Sequence, residues 1–281
     1  ALAGTLTMNS LLPLATISLL GSLLGLTSST TLDPAKFHCV SYDEASQTGV
    51  FRSNMPISTN ASNVASPSSY AYDEIKEYAA RAGKDECGTD AFEVGEVDPY
   101  VLEMSLSNSL DDKNGLLASR AFWSEVENFG RGRLAEWPIG VSGIVPPSVV
   151  PKSEWEEVVN NMWEVDQLPQ RVDKINEIRK LGFKGIFPDA AERPLILLLH
   201  CNAGCDRTGE MIGAYRYSTT DLTAKEMYQL DVKECGRPPN YYSTHALEWY
   251  CIYEYYNSNK GELADCTSFA KCKPFGDCEP E

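Results

Sequence analysis

One stretch of the chain, His200-Cys201-Asn202-Ala203-Gly204-Cys205-Asp206-Arg207-Thr208-Gly209, brings a nucleophile, a cation and two glycines into a short space. A thiolate can displace an alkoxide from phosphorus, and a planar guanidinium grips two phosphate oxygens at once as a lysine does not. Just before this stretch runs Pro194-Leu-Ile-Leu-Leu-Leu-His200, a continuous apolar segment of the kind a fully buried parallel strand requires. Thr208 to Tyr217, just after it, reads as a helix. A short loop between a strand end and a helix N-terminus turns successive backbone N–H groups inward. The helix dipole adds partial positive charge, so an anion sits there readily.

Roles follow from those positions. Cys201 is the expected nucleophile, because the same positive field favours its thiolate form. Arg207 is the expected phosphate clamp, and the backbone of Asn202, Ala203, Gly204, Cys205 and Asp206 would line the anion. Thr208 is placed to hydrogen-bond the thiolate or the departing cysteine sulfur. Gly204 and Gly209 allow tight backbone geometry and close helix packing. His200, inside the strand end, is expected to orient the loop rather than to transfer a proton. Thiolate chemistry needs no cofactor. No metal-binding spacing occurs either, since Cys272 and Cys278 have no histidine nearby.

The pattern His-Cys-x5-Arg-Thr-Gly at His200–Gly209 resembles the signature of the cysteine-dependent protein tyrosine and dual-specificity phosphatase superfamily, including its phosphoinositide and inositol-phosphate branches. The resemblance is concentrated in Pro194 to Tyr217. A fainter echo lies in Val50-Phe51-Arg52-Ser53-Asn54-Met55-Pro56, which looks like the opening strand of atypical dual-specificity members. It implies phosphomonoester hydrolysis through a phosphocysteine intermediate.

Members of that superfamily usually protonate the leaving oxygen with an Asp on a loop upstream of the cysteine. Trp137-Pro138-Ile139 looks like the start of such a loop, but Ile139 stands where the Asp would be. Three residues are candidates for the missing acid. Asp206 lies inside the cradle, and myotubularin-like and bacterial lipid-phosphatase loops also read Asp-Arg-Thr there. Like charge from a bound phosphate would favour its protonated form. Asp166 has a suitable distance in sequence but is expected on a helix, where a solvated carboxylate is the default. Asp189 is expected in a loop close to the strand.

Nine cysteines in 281 residues resemble a disulfide framework. Setting Cys201 aside leaves an even number, enough for four bridges of unspecified pairing. Cys205 has two readings: a thiol that protects Cys201 by pairing with it under oxidation, or a small residue packed behind the loop. Leu11 to Leu26 is an apolar run, short for a membrane span, that reads as the core of a secretory signal or as a signal anchor. Asn60-Ala61-Ser62 is a glycosylation acceptor. The chain is therefore expected to be secreted or lumenal, membrane-anchored only if that first segment is retained.

The elements that must position the site read as an α/β fold, with a largely parallel central sheet flanked by helices. Gly49 to Ser53 is the expected first strand, after a linker from Thr30 to Cys39. Tyr70 to Ala82 reads as a helix stopped by Gly83, Tyr100 to Leu106 as a strand, Ala118 to Phe129 as a helix and Leu134 to Val141 as a strand. Ser153 is expected to cap a long helix kinked at Pro169 and ended at Gly182. Helices follow at Thr223 to Cys235 and Ser243 to Tyr256. Residues 1–29 form the signal, 30–259 the phosphatase-like domain and 260–281 a cysteine-bearing tail.

The formal net charge of -16 argues against nucleic acid as a partner. A cradle without lysine, in an acidic chain, suits a singly phosphorylated protein or a small phosphate ester. Convergence of Arg52, Lys113, Arg131, Arg133 or Arg237 on the site would instead admit an inositol phosphate or phosphoinositide. A third class is a secreted phosphatase-fold protein that no longer turns over. The aromatic segments Tyr241-Tyr242 and Trp249 to Tyr256 would then serve as a partner surface or, more simply, as core.

Overall fold

The computed structural model describes residues 31–58, 67–93, 95, 97–107, 113–140, 143–273, 276 and 278–280. The expected signal segment and the Asn60 acceptor lie outside them, as does the side chain of Lys113. The fold is α/β. Five strands stand in the order β1-β2-β5-β3-β4, where β1 is His38–Asp43, β2 Thr48–Ser53, β3 Tyr100–Ser105, β4 Gly132–Glu136 and β5 Leu195–His200. Only β1 runs antiparallel to its neighbour; β2, β5, β3 and β4 are mutually parallel.

The apolar run of β5 is explained by its central place. Leu195, Leu197 and Leu199 enter one core with α3 (Trp155–Asn161), α4 (Leu168–Ile186), α5 (Asp206–Thr219), α6 (Ala224–Cys235) and α7 (Tyr241–Ser258). Ile196 and Leu198 enter a second core with α1 (Tyr72–Cys87) and α2 (Lys113–Ser124). A strand covered on both faces has no polar side to show, so it is apolar at successive positions rather than alternate ones.

Several boundaries differ from expectation for local reasons. The stretch expected as a linker carries β1 at its end, because Cys39 is tied to Cys87 at the end of α1 and β1 pairs along β2. Helix α1 runs on through Gly83, which packs against Phe92, and is capped by Gly88 in the left-handed conformation. The expected strand at Leu134 to Val141 begins and ends earlier, at Gly132 and Glu136. Helix α2 likewise starts and stops before its expected limits.

The expected long helix from Ser153 is two helices. Pro169 opens α4 in its first turn, where a missing N–H costs nothing, instead of breaking a helix. Gly182 is a kink inside α4, not its end, and helix resumes to Ile186. Helices α6 and α7 start from side-chain caps at Thr223 and Asn240.

The C-terminal segment packs on the domain. Cys266 and Phe269 are fully buried in the main core, with the Phe269 ring 5.1 Å from that of Tyr228. Cys251 of α7 pairs with Cys266, and Cys272 with Cys278 across a short hairpin of β6 (Ala270–Cys272) and β7 (Cys278–Pro280). Four cysteine pairs at bonding distance suit an oxidising compartment. Among the described residues no helix is long and apolar enough to cross a membrane.

Candidate active site

Cys201 follows the last residue of the central strand β5, and α5 begins at Asp206. The site therefore lies outside the carboxyl ends of parallel strands, where α/β sheets place ligands. Cys201 is buried at 3% exposure and is the one cysteine of the nine that is unpaired. Asn202, Ala203, Asp206 and Arg207 are half-exposed at the mouth, while Gly204, Cys205 and Thr208 are buried beneath. In the first turn of α5, the N–H groups of Asp206, Arg207 and Thr208 have no intrahelical acceptor. Thr208 Oγ1 is buried with no hydrogen-bond partner among the described residues.

The loop is held from three sides. Gly204 has φ +73, and a β-carbon there would meet backbone atoms of Ser53 and Asn54 at 2.8 Å. Only glycine tolerates both conditions. Beside it, the Met55 N–H donates to Asn202 O at 3.1 Å, and Arg52 Nη2 donates to Gly204 O at 2.9 Å. The Val50–Pro56 segment is thus the buttress of the cradle.

Arg52 is itself fully buried. It reaches Asp231 and, at 2.8 Å, Glu234, both on α6, and Arg216 of α5 pairs with the same Glu234 at 2.6 Å. Burial pushes the Asp231 carboxyl up, to about 6, against the pull of Arg52 and Arg216. Glu234 sits below its ordinary value because hydrogen bonding and charge from Arg216 and Arg52 outweigh its burial. Arg52 therefore supports the loop from behind and does not face a substrate.

Cys205 pairs with Cys235 at the end of α6, Cα atoms 5.3 Å apart. Of its two expected readings, the packed one is nearer, though as half of a disulfide and not as a thiol. Lys36 Nζ donates to Ala203 O at 3.1 Å, which puts a cation at the rim that sequence reasoning did not single out. Its signal is invisible in sequence, because it lies far from the motif.

His200 Nε2 donates to Glu103 Oε1 at 2.8 Å; both are fully buried. Ser119 Oγ and Trp123 Nε1 also donate to Glu103, at 2.7 and 2.6 Å. Burial raises the Glu103 carboxyl, but these donors and the His200 charge outweigh it and hold it below its ordinary value. The His200 side chain is thus fixed to Glu103 of the neighbouring strand β3, at the point where β5 gives way to the loop. Glu103 was missed, for a charged residue in a strand is legible only once its partners are known.

The three acid candidates stand in different surroundings. Asp189 is exposed in the turn before β5, at the end of the strand opposite Cys201. Six strand residues separate those ends by about 20 Å, so Asp189 is not beside the cradle. Asp206 stays at the mouth but is occupied: Arg237 grips both its oxygens at 2.8 Å, and the Asn240 N–H donates to Oδ1 at 2.8 Å. Asp166 is not on a helix. It lies in the turn between α3 and α4, buried at 3% exposure, and accepts the Gly140 N–H at 3.2 Å.

That contact joins Asp166 to the motif. Leu106 N–H donates to His200 O, Ile139 N–H donates to Leu106 O, and the next residue, Gly140, donates to Asp166. Arg171 of α4 fixes the same segment by donating to Trp137 O and Pro138 O at 2.8 and 3.1 Å. The Trp137–Gly140 loop thus carries Asp166 by contact although it has no Asp in sequence.

Of the other cations, Arg131 lies over the Tyr72 ring and Arg133 over the Phe187 ring, both at the start of β4 and away from the cradle. Arg237 is at the mouth, paired with Asp206. The aromatic helix α7 is mainly core: Trp249, Tyr250 and Ile252 are buried, while Tyr242 is exposed. Compared with known proteins, the chain matches no family model, and no curated protein sequence matches it.

Proposed function

We propose that the chain is a cysteine-dependent phosphomonoesterase of the tyrosine or dual-specificity type, with Cys201 as nucleophile and Arg207 as phosphate clamp. One observation carries the reading. The unpaired cysteine stands between the central strand and the amino end of α5, with Arg207 in the first turn of that helix. A purely structural protein with eight paired cysteines has no need of a ninth kept reduced there.

In the reaction, Cys201 Sγ attacks phosphorus. The S–P bond forms as the ester P–O bond breaks, and the electron pair leaves on the alkoxide oxygen, which takes a proton from an acid. We assign that acid to Asp166, since Asp206 is engaged by Arg237 and Asn240. Water then attacks phosphorus and gives its proton to the Asp166 carboxylate. The P–S bond breaks, releasing phosphate and restoring the thiolate, with the Thr208 hydroxyl available to the sulfur.

Among the described residues, few cations converge on the mouth beyond Lys36, Arg207 and Arg237, which favours a singly phosphorylated substrate over an inositol polyphosphate. The test is phosphate release by the full chain from an aryl phosphate, a phosphotyrosine peptide and an inositol polyphosphate, without strong reductant. Turnover that Cys201→Ser abolishes supports the enzyme, and the preferred substrate separates the branches. A folded chain with a free Cys201 thiol and no turnover on any of them would point to the silent, phosphate-binding alternative.

A further inference from the structure

We propose that the groove between α3, α4 and α7 is a binding site for a neutral saccharide, a role that does not rest on the phosphatase reading. The groove holds about 440 Å³, a volume that suits a small ligand. Asn160 and Asn161 line it from the end of α3, Gln167 and Gln170 from the start of α4, and Asn257 from α7. Five amides are an unusual wall, because small-molecule sites are lined mainly by apolar side chains with a few polar groups among them.

The wall discriminates between classes of ligand. A phosphate or carboxylate calls for arginine or lysine, and neither lines the groove. The formal net charge of -16 repels anions further and leaves a neutral ligand unaffected. Glu164 is the single carboxylate in the wall, and an apolar ligand would strip water from the amides without replacing it. A polyol meets neither difficulty. An amide carries a donor and an acceptor side by side, and a hydroxyl is both at once, so the two match in either direction. Asn161 Nδ2 donates to Glu157 O at 2.7 Å, and Asn257 Nδ2 to Tyr253 O and Asn160 Oδ1 at 3.1 and 3.3 Å. These bonds hold the amides in place and use their N–H groups, leaving Oδ1 of Asn161 and Asn257 to accept from a ligand. Gln167 stands at the head of α4 without capping it through its side chain.

Trp163 and Tyr253 supply the apolar part, with ring centroids 6.2 Å apart and planes nearly perpendicular. A pyranose has hydroxyls at its rim and C–H groups on its faces, so it meets amides at one and the negative face of an aromatic ring at the other. Trp163 carries a second sign. It is 5% exposed, and its Nε1 has no hydrogen-bond partner among the described residues. The indoles of Trp123, Trp155 and Trp249, also buried, each donate to an oxygen. A buried N–H left over in the wall of an amide-lined groove is a donor for a ligand hydroxyl.

The test titrates the isotope-labelled full chain with neutral gluco-, manno- and galacto-configured oligosaccharides and with N-acetylhexosamine oligomers, and follows the indole N–H signals by NMR. The signal lost in Trp163→Phe, which keeps an aromatic ring in place, identifies Trp163. At least one saccharide should shift it saturably. Gln170→Ala with Asn257→Ala, both exposed side chains, should weaken that binding about tenfold or more. No shift with any saccharide, or binding that the folded double variant keeps intact, overturns the proposal. Tungstate, a phosphate-like dianion, is the control, and a Trp163 signal that moves with tungstate alone would make the groove an anion site instead.

The bound saccharide is then offered free and attached to a glycoprotein. Binding of both extends the site to protein-borne glycans, and binding of the free form alone restricts it to soluble saccharides. Binding of the intact glycoprotein alone would mean that its polypeptide is read, and overturns the assignment.

Discussion

Cys205 and Cys235 join the middle of the candidate phosphate cradle to the carboxyl end of α6, the helix that also supplies Asp231 and Glu234 to Arg52. One helix therefore holds the loop twice, by a covalent link and by a buried charge network. The link also removes Cys205 as a thiol that could shield Cys201.

Reduction should therefore act in the opposite sense from that expected of a thiol enzyme. Cys205→Ser with Cys235→Ser is expected to cost roughly 2–4 kcal/mol of stability and to lower turnover even though Cys201 is untouched. Urea unfolding with and without reductant checks it. Equal midpoints for the double variant and the oxidised wild type would show that the link does not hold the loop.

Removing Arg52 should be severe. Arg52→Met leaves Asp231 and Glu234 with Arg216 alone, and stripping one partner from a buried ion cluster costs about 3–5 kcal/mol. Gly204 O loses its donor as well, so tungstate binding should fall even in molecules that fold. Circular dichroism melts paired with tungstate titration would separate the two effects.

Gly204→Ala combines a left-handed backbone with contact against Ser53 and Asn54. A loss of about 1–3 kcal/mol is expected, with anion binding lost before global stability. A variant with wild-type tungstate affinity would mean that the loop does not need this geometry.

Glu103 and Glu210 should give opposite pH dependences of stability. Glu103 is depressed, so its contribution is full above its unfolded value near 4.5 and is lost as pH falls through its lower folded value. The stability gap between wild type and Glu103→Gln should narrow in acid. Glu210 is raised, so the folded state is favoured below about 4.5 and loses that support as pH climbs towards about 8. Glu210→Gln should flatten that decline, whose slope is at most about 1.4 kcal/mol for each pH unit. Denaturant midpoints from acid to alkali in the three proteins would decide both.

The order of strands and helices around the motif was legible in sequence because its causes are local. Leu195 to Leu199 had to be a strand covered on both faces, and Gly204 and Arg207 had to lie where a loop meets a helix. The number of bridges was legible too, since eight cysteines beside Cys201 make four pairs. The pairing was not: nothing local says that Cys205 meets Cys235, which depends on α6 folding back against the cradle.

The same limit governs the candidate acids. Asp206 and Asp166 were both in view from their places in the sequence, but only the turn between α6 and α7 occupies Asp206 with Arg237 and Asn240, and only the path of the Trp137–Gly140 loop reaches Asp166. Pro169 and Gly182 misled in the same way, because a breaker marks a change of direction without saying whether a helix starts, bends or stops there. Lys36, Glu103 and Glu210 carried no signal at all. Backbone conformation and burial pattern are written in neighbouring residues, whereas charge pairing is set by distances across the sheet, and those exist only in the folded chain.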